Sequence, residues 1–160
     1  MAHPEIDVLL TLIDQAYDRR SWHGTNLRCS LRGLGAAEAA WRPAAQRHNI
    51  WEIAVHAAYW KYVVRRRLRG ERRGSFALPG SNWFRRPAEA TAAAWRADLA
   101  LLDDCHRSLR AAVGALAPRA LRSRPRGSKV ETLDLLLGIA AHDLYHAGQI
   151  QLLKRLGARR

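Results

Sequence analysis

An all-α fold, a four-helix bundle with one long crossover connection, is the architecture these 160 residues predict. Three observations point there. Ala, Leu and Arg dominate and β-branched residues are few, which favours helix over strand. Apolar residues recur at three- and four-residue spacing in four long segments. Glycine and proline gather between those segments. No internal repeat is present, so residues 1–160 read as a single bundle domain.

The first helix is expected from about Pro4 to Arg20. Pro4 suits a first helical position, and Ile6, Leu9, Leu10, Ile13 and Tyr17 share a face. Trp22-His23-Gly24 breaks the pattern, a second helical segment reaches Leu34, and residues 36–45 read as a turn-rich connector. Asn49 followed by Glu52 has capping-box spacing and opens a helix that runs to about Arg69. Three glycines and two prolines make residues 70–87 the long crossover loop. A third helix is expected over Ala88–Leu116, and a loop with two prolines over 117–127. Ser128 and Glu131 repeat the capping-box spacing before a last helix, with Gly157 where a C-terminal cap belongs.

Composition narrows the function classes. No apolar run of about 18 residues exists, so a membrane span is not expected. The N-terminus carries acids early and lacks the layout of a signal peptide. Cys29 and Cys105 are isolated thiols, and a cytoplasmic protein with reduced cysteines is expected. Without CxxC spacing they read as structural. The formal charge of +13 raises the question of nucleic acid. Almost all of it is arginine, with lysine only at 61, 129 and 154, and the densest cluster falls on Arg65, Arg66, Arg67, Arg69, Arg72 and Arg73. Those cations would end a helix, where they oppose its dipole, so nucleic acid is not the preferred partner.

His142 and His146 are four residues apart on a helix, so both rings project from one face, one turn apart. A helix offers two imidazoles to one metal ion at that spacing. Seven histidines in 160 residues give about 0.3 such pairs by chance, so the pair alone is weak. Gly138 and Gly148 are costly inside a helix and suggest close approach of a backbone or ligand. Gln149 lies on nearly the same face as His146, where it could orient a ligand. His56 lies mid-helix on a face that otherwise reads as core, with Glu52 one turn before and Trp60 one turn after. An unpaired polar ring there is expensive. The alternatives are a core histidine bonded to a neighbour, or three histidines converging as a facial ligand set. Three protein ligands with open positions is the catalytic pattern for zinc.

Several of these stretches resemble the DinB-like superfamily: HNIWEIAVHAAYWKYVVRRRLRGE (48–71), LPGSNW (78–83), AAAWRADLALL (92–102), HDLYHAGQIQLLKRL (142–156) and the earlier WHGTNLRCSLRGLGAAEAAWRP (22–43). The resemblance runs in order along nearly the whole chain. It implies a four-helix bundle with a long crossover, often dimeric, and a divalent metal held by three histidines, which match His56, His142 and His146. Some relatives are thiol-dependent transferases or isomerases using bacillithiol, mycothiol or glutathione; others have no assigned reaction.

A metal on three neutral imidazoles keeps its full charge and an exchangeable position, and can activate water or a thiolate. Nitrogen ligands suit zinc, nickel, copper or iron; zinc or nickel is preferred here. Binding is expected to weaken as pH falls through the histidine range near 6.5. Glu52 is the candidate general base, with a plain helix-capping role as its alternative. Asp143 is turned about 100° from His142 and points elsewhere. Tyr145 could reach the cavity rim, and Trp83 with Phe84 in the crossover loop could form a lid or dimer contact. Trp51, Trp60 and Trp95 fall on apolar faces and read as core more than as ligand wall, with Trp60, like Gln149 and Tyr145, also a candidate for lining the site. The function expected is a metal-dependent thiol transferase or hydrolase acting on a small molecule, as a homodimer. A metal-stabilised bundle without catalysis is the alternative, and a basic nucleic-acid-associated protein the third.

Overall fold

Helix caps and glycine breaks divide the chain into six α-helices and a 3₁₀ turn, as seen in a computed structural model that describes residues 3–158. They are α1 (Pro4–Tyr17), α2 (Leu27–Ser30), α3 (Ala36–Ala40), α4 (Ile50–Leu68), α5 (Ala92–Gly114) and α6 (Thr132–Gly157), with the 3₁₀ turn at Pro118–Arg122 between the last two. The four long helices form the bundle: α4 packs against α5 and α6, and α1 packs against the same two from the opposite side. The short α2 lies on α6, and α3 on α4.

Boundaries moved where local chemistry outweighed periodicity. The expected 36–45 connector contains α3, whose Glu38 carboxylate accepts from the Gly35 N–H at 2.8 Å. Only one turn of the second expected helix forms, capped by Asn26, whose Oδ1 accepts from the Cys29 N–H at 3.0 Å. Asn49 caps α4 as expected, accepting from the Glu52 N–H at 2.7 Å, but the Glu52 side chain does not return to Asn49. Thr91 caps α5, accepting from the Ala94 N–H at 3.1 Å, so that helix starts four residues later than expected. Ser128 does not start α6; its hydroxyl donates to the Val130 carbonyl, and the cap position is Glu131. Gly157 lies inside α6, where a Cβ would come within 3.1 Å of the Trp41 ring.

Two apolar clusters fill the bundle. Trp51, Trp95, Leu102, Leu27 and Ile150 centre one, and Ile13, Leu109, Val113, Leu136 and Ile139 centre the other. The buried indoles are satisfied: Trp51 donates to Asp98 at 2.6 Å and Trp95 to the Leu34 carbonyl at 2.8 Å. Lys61 of α4 and Asp143 of α6 form an ion pair with essentially no exposure, and the Lys61 ammonium also sits 4.7 Å from the centre of the Tyr17 ring. Among the described residues no helix is long and apolar enough to cross a membrane.

Candidate metal centre

The packing of α4 against α6 brings His56 to the face that carries His142 and His146. The Nε2 atoms of His56 and His142 are 3.1 Å apart, and those of His146 and His142 are also 3.1 Å apart. One ligand nitrogen from each ring lies within 4.8 Å of the others. A metal about 2.0–2.1 Å from each imidazole nitrogen requires neighbouring nitrogens roughly 2.8–3.4 Å apart, across octahedral and tetrahedral geometry. The two observed separations fall inside that span.

The outer nitrogens explain why the inner ones are free to ligate. His56 Nδ1 meets the Asn82 backbone carbonyl at 2.9 Å, and His146 Nδ1 meets Gln149 Oε1 at 2.7 Å. Both partners are acceptors, so each Nδ1 carries the hydrogen and each Nε2 keeps its lone pair. Metal-binding histidines are normally oriented in this way. His142 differs, because its Nδ1 is buried without a partner. Burial, followed by the charges of the neighbouring histidines, holds the His142 imidazole down at about 3. Burial likewise lowers His56, to about 4, and His146 is lowered by burial as well. All three rings are therefore neutral across the ordinary pH range, the form a metal needs. Burial thus moves the expected onset of proton competition well below 6.5.

The loop between α4 and α5 completes the surroundings. Asn82 has a φ of +64°, a left-handed conformation that asparagine tolerates better than most residues. Its backbone carbonyl faces His56 while its side-chain oxygen accepts from the Trp60 indole at 3.0 Å. Trp83 stacks on His56 with ring centres 3.8 Å apart, and His48 stacks on the other side of that interaction at 3.6 Å from Trp83. Trp83 is thus a wall of the site, whereas Phe84 is buried among Tyr59 and Phe76. Trp60 is only half-buried and its ring meets those of His56 and His142 edge-on, so it belongs to the site more than to the core.

Glu52 is held away from the imidazoles. Its carboxylate takes two hydrogen bonds from Arg42, including one at 2.9 Å, and meets His48 Nδ1 at 2.9 Å. Burial opposes its charge, but the Arg42 and His48 hydrogen bonds outweigh burial and lower its pKa. A carboxylate so stabilised is a weak base; what it does here is brace His48 against Trp83. Asp143 points away from the site, as expected, into its pair with Lys61. Tyr145 is exposed, its ring edge lies against His146, and its hydroxyl accepts from the Gln149 amide at 3.2 Å. Gly138 and Gly148 do not admit a close neighbour; a Cβ at either would meet open space.

Periodicity could not reveal Asn82 or His48. Asn82 acts through a backbone carbonyl, which leaves no trace in residue type, although its place after Pro79-Gly80 marks a turn. Burial pushes the Cys105 thiol up to about 11, and both cysteines are free, consistent with structural roles.

No curated protein and no solved structure matches this chain. The family model of the DinB superfamily does match, over residues 19–150, a span that contains all three histidines and the loop that braces them. With a helical bundle and a three-histidine cluster already in hand, that match is decisive: the chain belongs to the DinB superfamily.

Proposed function

We propose that this protein holds one divalent metal ion, zinc or nickel, through the Nε2 atoms of His56, His142 and His146, and uses it to act on a small molecule, as a thiol-dependent S-transferase or a hydrolase. The observation that supports this most is the pair of 3.1 Å Nε2 separations among neutral rings, two of which, His56 and His146, already have their outer nitrogens engaged. Among the described residues no carboxylate or thiolate joins the cluster, so these ligands cancel none of the metal charge. Once bound, the metal would supply Lewis acidity towards a thiol or water in a remaining position. Gln149 and the Asn82 carbonyl fix the ring orientations, and Trp83 covers one face of His56 and keeps solvent from it.

Metal analysis of untagged protein tests the site. About one equivalent per chain is expected in the wild type and little in His142→Ala; equal content in both would discard it. Assays with low-molecular-weight thiols and electrophiles then test the reaction. A flat response across thiols and hydrolysable esters would favour a second reading, a metal-stabilised bundle without catalysis. The engagement of Glu52 by Arg42 and His48, which leaves the site without an evident base, is the observation that supports that alternative. A cytoplasmic location and a homodimer complete the proposal. Exposed Tyr145, Leu152 and Leu156 on α6 support a dimer, which light scattering would check.

A further inference from the structure

At the end of α4 lies a cavity of about 560 Å³ that none of the three site histidines lines. Arg66, Arg67 and Arg73 line one part of it, and Tyr59, Phe76 and Leu78 another. Its volume suits a small organic ligand.

The arginines lack anionic partners. Glu71, close by in sequence, gives its carboxylate to Arg65 at 3.0 Å and Arg69 at 3.9 Å. Arg66 receives only the Glu71 backbone carbonyl, 3.1 Å from its Nη1, and the residue is 9% exposed. Among the described residues no carboxylate pairs with Arg66, Arg67 or Arg73. Burying a guanidinium without an anion is costly, and that cost falls on Arg66 and in part on the half-buried Arg67; Arg73 is exposed and turns its charge to the same cavity. The C-terminal end of the α4 dipole offsets part of the cost for Arg66 and Arg67, which lie in its last turn. Burial, and then the charges of Arg66 and Arg73, lower the pKa of Arg67, so the three cations oppose one another.

We propose that this cavity binds a small molecule with a phosphate or carboxylate group on a flat, apolar body. The oxyanion would sit among the three guanidinium groups, whose planar forks suit its oxygens. The body would lie against Tyr59 and Phe76, whose ring centres are 5.3 Å apart. Trp60 lines the cavity and also meets His56 and His142 at 6.4 Å between ring centres, so its indole would sense an occupant. The three imidazoles do not line the cavity, so it is distinct from the metal ligands while sharing Trp60 with their surroundings.

Calorimetric titration of the metal-free full chain with phenyl phosphate, and separately with benzoate, tests this at low salt. Saturable one-to-one binding of at least one of them is expected, tighter than inorganic phosphate, together with a shift of the Trp60 indole N–H resonance. Arg67→Ala/Arg73→Ala is expected to weaken binding about tenfold or more. Arg73 is exposed and Arg67 only half-buried, so the fold is expected to survive, and Arg67→Ala and Arg73→Ala singly are expected to show smaller losses in the same direction. Arg124→Ala, an exposed arginine elsewhere, is expected to bind like the wild type. Unchanged affinity in the double variant would overturn the proposal, as would no saturable binding of either probe. So would binding of a DNA duplex that the double variant loses while both probes fail, which would assign the arginines to nucleic acid.

Discussion

Two polar clusters lie between the same pair of helices, and they are built on opposite principles. Lys61 and Asp143 close on each other: a buried cation meets a buried anion through Asp143 Oδ2, and the two charges balance, although Oδ1 has no hydrogen-bond partner among the described residues. One turn away along α4, and next to Asp143 on α6, His56, His142 and His146 bring together three lone-pair nitrogens with no cation among them. The first cluster balances its charge within the chain. The second has the outer hydrogen bonds of His56 and His146 made and its inner atoms facing one another, an arrangement suited to a metal ion.

Removing one partner from the closed cluster is expected to have the largest effect. Lys61→Met leaves the Asp143 carboxyl buried without its cation, at a cost of about 3–5 kcal/mol in chemical denaturation. Lys61→Met/Asp143→Leu is expected to recover much of that loss. If the single variant is as stable as wild type, the pair is not the closed element described here. In the open cluster, His142→Ala is expected to lower metal affinity by more than about 100-fold, since even outer-sphere partners are worth about 10–100-fold. Competition with a chromophoric chelator would measure it. Gln149→Leu removes only the acceptor for His146 Nδ1 and is expected to cost about 10–100-fold by the same assay.

Acid sharpens the contrast further. The folded-state pKa values of His56, at about 4, and His142, at about 3, lie below the ordinary histidine value near 6.5. The unfolded chain therefore takes up protons first as pH falls, so the stability of the metal-free protein is full above about 6.5 and declines from there towards about 4. His106, held down at about 3 by burial, acts in the same direction. Thermal melts of metal-free protein between pH 7 and 4 are expected to show that decline. Metal content at pH 5.5 is expected to stay near its value at pH 7; loss with a midpoint near 6.5 would show that the rings are solvated.

The parts of the site that spacing could expose were legible in the chain. His142 and His146 share a face because they are four residues apart, and His56 stood out as a polar ring on an apolar stripe. The bundle was legible for a similar reason, since helical periodicity is a local property. What escaped depends on distant neighbours. Glu52 read as a base because it shares the His56 face, but Arg42 and the Arg86 N–H, 34 positions away, turn it into a brace. Asn82 contributes a main-chain oxygen, and Lys61 declares itself only once α4 meets α6. Gly138 and Gly148 looked like sites of close approach, yet the space over both is open. Trp60 fitted either the core or the pocket by spacing, and its indole bond to Asn82 is a contact that only the fold reveals.

Zinc-edge X-ray absorption of protein loaded with one equivalent reads directly what surrounds a bound metal. Three imidazole nitrogens at about 2.0–2.1 Å with at least one further oxygen donor is the result expected from this geometry. A sulfur shell near 2.3 Å, or fewer than three imidazoles in the fit, would contradict it.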